Sequence, residues 1–181
     1  MTSLAEKRPC PGCGALVPDT DGPAHPYIGA SAGCWAVFCE VLAKEYGEYQ
    51  YPAIHRLTVD AYAAQHPGTP SRRSIQSVAT HLAGLCLTLE YDLGPEQVTA
   101  AMGRILSQRP PFVWLEPPPT LGAQTILDVA SARTLAEHEQ KVRQWACAVW
   151  SAWAANHQTV RHWAMLASPA PVQKGRGGHG D

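Results

Sequence analysis

Cys10 and Cys13, in the run Cys10-Pro11-Gly12-Cys13-Gly14, carry the most specific chemical signal in the chain. Two thiolates at this spacing can hold one metal ion on a tight turn. The glycines permit backbone conformations that a side chain forbids, and the turn's amides can then point at the sulfurs. The same pair could instead cycle between dithiol and disulfide. That chemistry, as in thioredoxin-like proteins, needs a strand before the motif and a helix that starts at it. Here Ala15-Leu16-Val17-Pro18 follows, and the proline stops such a helix. The spacing favours metal, with redox chemistry as the competing reading.

A structural zinc ion takes four ligands, and the sequence holds no second pair of this kind. Cys34 is the expected third ligand, because it falls in the first turn of a helix, where the positive end of the dipole favours a thiolate. His25 is the expected fourth. It lies in Gly22-Pro23-Ala24-His25-Pro26, a rigid loop able to fold back on the knuckle, although a plain surface histidine fits that loop as well. Cys39 is the rival. It stands about 140° around the helix from Cys34, which suits a small core residue better.

His55, His66, His81 and His138 raise the prospect of a second, catalytic metal site. On a continuous helix His55 and His66 stand about 16 Å apart along the axis, and His55 and Asp60 point about 140° apart. Any such site must therefore gather side chains from different helices. The functional version is a bundle pocket lined by Asp60, His66, His81 and His138. The plainer version makes each a hydrogen-bonded core histidine. Trp145, Trp150, Trp153 and Trp163, at helical spacing, read as core packing before they read as a stacking platform for a ligand.

These groups need elements to hold them. Residues 1–30 are rich in proline, glycine and cysteine and lack helical period, so about 8–34 reads as an irregular metal-binding lobe. A first helix runs from Ser31, with Trp35, Phe38, Val41, Leu42 and Glu45 on its stripe, to a stop at Gly47. A second starts near Pro52 and ends before Pro67-Gly68. The third is capped at Thr69-Pro70 and buries Ile75, Val78, Ala79, Leu82, Leu85, Cys86 and Leu89. Gly94-Pro95-Glu96 opens a fourth. Residues 109–119, with five prolines, form an extended connector laid on the bundle by Phe112, Trp114 and Leu115. A final long helix, capped by Thr134 and Glu137, is predicted to run unbroken to about Leu166. The fold class is thus mainly α, an irregular zinc-knuckle lobe packed on about five helices. One domain spans 1–167, and a disordered tail is expected over 168–181.

Bulk properties narrow the partners. The 181 residues allow one sizeable core, and six tryptophans with only 16% charged residues suggest that aromatic bulk dominates it. A net charge of −1 gives no basic field, so nucleic acid is not an expected partner. No apolar run approaches the ~20 residues of a membrane helix, and the N-terminus lacks an export signal. The expectation is a soluble cytoplasmic protein whose cysteines stay reduced.

The segments CPGCG, GPAHPY, GCW, HRLTVDAYAAQHPG, RSIQSVATHLAGLCLTLE and FVWLEPPP, with a closing H-VR-WA-VW-AW pattern, together resemble a bacterial, mostly actinobacterial, family of unknown function. The resemblance covers roughly residues 8–163, and the HRLTVDAYAAQHPG stretch is its most specific part. It implies a complete single-domain protein and no particular activity. It also implies the same residue types at Cys10, Cys13, His25 and Cys34 across the family. The leading expectation is a module stabilised by structural Zn2+, binding or regulating a protein or small-molecule partner. The alternative is a metal-dependent enzyme with a histidine-lined pocket in the bundle.

Overall fold

The computed structural model describes residues 6–167. The expected tail, 168–181, lies outside the described residues. Two short strands, β1 (Lys7–Pro9) and β2 (Leu16–Pro18), pair antiparallel with Arg8 opposite Val17. Seven helices follow: α1 (Ala32–Tyr46), α2 (His55–Gln65), α3 (Arg72–Leu89), α4 (Pro95–Ser107), α5 (Ile126–Ala130), α6 (Leu135–Ala152) and α7 (His157–Met165). The chain is therefore mainly α, as its periodicity predicts.

Local chemistry starts most of these helices. Ser31 caps α1 by accepting the Cys34 amide at 3.3 Å, and Ser71, two residues past the expected cap, does the same for Ser74 on α3. Gln97 reaches back to the Gly94 amide at the head of α4, and Thr134 accepts from the Glu137 amide at the head of α6. On α2, Pro52 lies outside the helix, which begins three residues later at His55.

Helix α3 is central, packing against α2, α4, α6 and α7, and it buries Val78, Leu82, Leu85 and Cys86 almost completely. Its contact with α2 depends on Gly84. A Cβ there would stand 2.3 Å from an Asp60 carboxylate oxygen, nearer than real Cβ atoms come. Gly84→Ala should therefore cost about 1–3 kcal/mol, as overpacking of a tight core does, and urea denaturation would measure it.

The last helix is not continuous. α6 stops at Trp153, a 3-10 turn spans Ala154–Asn156, and α7 begins at His157. No proline or glycine marks this break. Tertiary bonds fix it: the buried Trp153 ring donates Nε1–H to the Ala64 carbonyl at 3.1 Å, and His157 stacks on Trp150 with centroids 3.8 Å apart. Trp145 likewise donates to Gln65 Oε1 at 2.9 Å, so the end of α2 is held by two indoles.

Gln65 in turn donates to the Leu121 and Gln124 carbonyls, tying down the segment that follows the proline-rich connector. Leu115 is buried along that connector, and Phe112 packs edge-on to Trp163 at 5.0 Å. Cys39, expected in the core, is exposed on the outer face of α1.

Candidate metal centre

The β1–β2 hairpin presents the knuckle. Cys10 directly follows β1, its amide donates to the Ala15 carbonyl at 2.9 Å, and its own carbonyl accepts from the Gly14 amide at 2.8 Å. Val17 of β2 is buried, and β2 docks on α1. That docking brings the first turn of α1, and Cys34 with it, to the two knuckle sulfurs. The Ser31 amide stands 3.4 Å from Cys10 Sγ, an N–H aimed at sulfur just ahead of the helix.

The fourth group is His66, the residue that ends α2. The Cys10, Cys13, Cys34 and His66 ligand atoms all lie within 4.8 Å of one another. Cys13 Sγ and Cys34 Sγ are 3.9 Å apart, and Cys34 Sγ is 3.5 Å from His66 Nε2. A tetrahedron with 2.3 Å metal–sulfur and about 2.0 Å metal–nitrogen bonds has sulfur–sulfur edges of about 3.8 Å and sulfur–nitrogen edges of about 3.5 Å. The donor set therefore suits zinc in its chemistry, and these two edges match a tetrahedral site. Imidazole Nδ1 donates to the Tyr62 carbonyl at 2.7 Å, which leaves Nε2 as the ligand atom and fixes the ring plane.

His25 does not belong to this group, and the expectation that it completes the ligand set is corrected. Its ring lies edge-on to Tyr27 at 4.3 Å and tilted against Trp35 at 5.1 Å, with Nδ1 buried and unpartnered among the described residues. Burial, and to a lesser degree His81, lower its pKa. Gly12 shows why His66 can reach the knuckle. A Cβ on Gly12 would stand 2.5 Å from His66 Cδ2 and 2.7 Å from the Gly29 carbonyl oxygen.

Burial is close to complete. Cys10, Cys34 and His66 are at most 2% exposed, and Cys13 is partly open. Three crowded sulfurs cannot all ionise unaided. Hydrogen bonds from Cys13 and Cys34 hold the Cys10 thiol well below its ordinary range, while bonds to Cys10 and Cys13 push Cys34 well above it. Burial works to keep the His66 ring neutral, but hydrogen bonds to Cys10 and Cys13 outweigh it and raise the ring to about 9. A divalent cation at the centre would satisfy all four donors as thiolates and neutral imidazole. Tyr62 closes the inner side, its hydroxyl donating to Cys34 Sγ at 3.6 Å and its ring stacked on Phe38 at 3.8 Å.

The remaining histidines do not share a pocket with His66. His138 Nε2 and His55 Nδ1 donate to the two oxygens of Glu45 at 2.7 and 2.6 Å, and the Thr58 hydroxyl adds a third bond at 2.6 Å. Glu45 is fully buried, so this network joins α1, α2 and α6 through one carboxylate. Burial alone would raise the Glu45 pKa, yet the bonds from His138, Thr58 and His55 outweigh it and lower the value. His81 pairs separately with Asp60, Nδ1 to Oδ1 at 2.7 Å. The grouping of Asp60, His66, His81 and His138 is thus resolved into three places. No second set of three or more His, Cys, Asp or Glu side chains converges as a metal cluster among the described residues.

A search of curated proteins and of solved structures finds no match to the chain. Residues 8–154 do match a family model that spans the knuckle, α1 with Cys34, and His66 at the end of α2. The chain therefore belongs to DUF5946, a family of unknown function.

Proposed function

We propose that this protein is a zinc-stabilised helical module in which Cys10, Cys13, Cys34 and His66 hold one structural Zn2+. The observation that carries this reading is the convergence of four ligand atoms within 4.8 Å on a sulfur-rich, buried set. Closed four-ligand sites rich in cysteine are structural, since catalytic zinc keeps a position open for water. The ion would crosslink the hairpin, α1 and the end of α2, adding to the Glu45 network and the Phe38–Tyr62 stack that already join α1 to α2. The module binds or regulates a protein or small-molecule partner. Its setting is the reducing cytoplasm of a bacterium, above all an actinobacterium. All six cysteines are free, which suits such a compartment, and no described helix is long and apolar enough to cross a membrane.

Elemental analysis of the purified chain tests the reading, and one zinc per chain is the expected result. The Cys13→Ser protein should lose most of that zinc and unfold at lower temperature. Full zinc with unchanged melting in Cys13→Ser would refute a structural role.

A further inference from the structure

We propose that the cavity between α2, α3 and α4 is an ester-hydrolysing site in which His81 is the general base. This site is separate from the metal centre and does not rest on the zinc reading. The cavity has a volume of about 800 Å³, the size of small-molecule sites, and Asp60, His81, Arg56 and Tyr51 contribute to its walls.

Asp60 is 1% exposed, pressed against Gly84 so closely that a Cβ there would collide with the carboxylate. Its Oδ1 accepts from His81 Nδ1 at 2.7 Å and its Oδ2 from Arg56 Nε at 3.3 Å. A carboxylate only accepts, so His81 Nδ1 carries a proton, and in the neutral ring Nε2 is the nitrogen that can accept one. The three carboxylate-bound histidines differ in what they can do. His55 and His138 are buried on the single Glu45 carboxylate, and His55 also meets the Tyr46 hydroxyl at 3.3 Å through Nε2. The His81 side chain is 22% exposed, and its Nε2 has no partner among the described residues.

A second feature lies at the mouth. Gln50 and Tyr51 both hold positive φ, 52° and 59°, a left-handed pair that non-glycine residues rarely adopt in succession. This strained turn sets the Tyr51 ring, 60% exposed, beside His55 at 4.6 Å. An apolar wall with an aromatic at its edge suits an ester with an aryl or alkyl group. The Arg56 guanidinium, anchored by Asp60 and by Thr99 Oγ1 at 3.3 Å, supplies a fixed cation for a developing oxyanion.

In the step, water oxygen bonds to the acyl carbon as His81 Nε2 takes a water proton. The carbonyl electron pair moves to oxygen beside Arg56. On collapse the bond to the alcohol oxygen breaks, His81 returns its proton to that oxygen, and the products are a carboxylic acid and an alcohol.

The test uses the intact, metal-loaded chain with 4-nitrophenyl acetate and 4-nitrophenyl butyrate. Saturable hydrolysis is expected, with kcat lowered at least ~100-fold in His81→Gln. Asp60→Asn should lower kcat with KM nearly unchanged, as a positioning residue does, and added imidazole should restore part of the rate to His81→Gly. His162→Gln, an exposed histidine on α7, should match the parent. A rate that rises linearly with ester and is the same in His81→Gln overturns the proposal, as does no hydrolysis of either ester. Zinc content, measured on every sample, reports separately on the metal reading.

Discussion

Purified His66→Ala protein should carry a small fraction of the zinc found in the parent and melt about 8–16 °C lower, while His25→Ala should keep its metal. The size follows from what the ion contributes. Structural zinc sites supply roughly 10–16 kcal/mol of apparent binding energy, and that energy is folding energy when the site exists only in the native chain. Loss of one of four ligands belongs to the short list of changes that cost on the order of 4 kcal/mol or more. For a domain of this length each kcal/mol is about 2–4 °C. His66 is the ligand that brings in α2, because Cys10, Cys13 and Cys34 all belong to the hairpin and the head of α1. Its loss should therefore loosen the lobe from the bundle, visible as faster amide exchange over residues 10–34 than over α3. The paired variants separate two histidines that each precede a proline in a loop. Equal zinc in His66→Ala and parent, or loss of zinc in His25→Ala, would contradict the geometry of the centre.

Glu45→Ala should be the most damaging change away from the metal, lowering stability by about 3–5 kcal/mol. The carboxylate is fully buried and accepts three hydrogen bonds, so its removal strands two imidazoles and a hydroxyl in the interior. Glu45→Gln is the gentler companion, since the amide keeps the volume and an acceptor but cannot take all three bonds. The two also differ in their response to acid. The Glu45 pKa in the folded chain lies below its ordinary 4.5. Its ionised form therefore contributes stability that is complete above the unfolded value and is lost as pH falls through the lowered folded value. The stability gap between parent and Glu45→Gln should narrow as pH falls from about 5 to about 3. Chemical denaturation across that range measures it, and a gap that does not change on acidification would show that Glu45 is not held as a carboxylate.

What the sequence made legible divides along physical lines. Helices α1, α3 and α4 were readable because each carries a local start signal and a long apolar stripe, and both are properties of neighbouring residues. The strands were not readable. Each has three residues and contains a proline, and their pairing is fixed by the knuckle turn between them. Helix α5 was missed although Thr125 and Asp128 form a capping box, with the Thr125 amide donating to Asp128 at 2.8 Å. Five residues leave too little period to notice. The break at Trp153 has no local mark at all, because it depends on an indole reaching the end of α2.

The metal centre shows the same boundary. Cys10, Cys13 and Cys34 declared themselves by residue type and by position in a turn or a first helical turn. His25 and His66 both precede proline; the rigid loop Gly22–Pro26 points to His25, whereas the structure brings His66 to the three sulfurs. The clue to His66 was its position at the end of a helix, followed by Pro67 and Gly68, where the chain turns back. Glu45 falls at the spacing of the apolar stripe of α1, and the structure buries it fully. Its partners lie 10, 13 and 93 residues away, beyond the reach of any periodicity.

The uneven placement of the four ligands gives the centre a history as well as a geometry. Three of them lie between residues 10 and 34, and the fourth comes 32 residues after Cys34. During synthesis the three sulfurs leave the ribosome together, while His66 is still to be made. Zinc bound at that stage would have three of its four protein ligands, and His66 would complete the set only once α2 forms. Closing the 32 residues between Cys34 and His66 costs little more entropy than closing a shorter loop, so on the zinc reading the fourth ligand arrives with the docking of α2 at small extra cost.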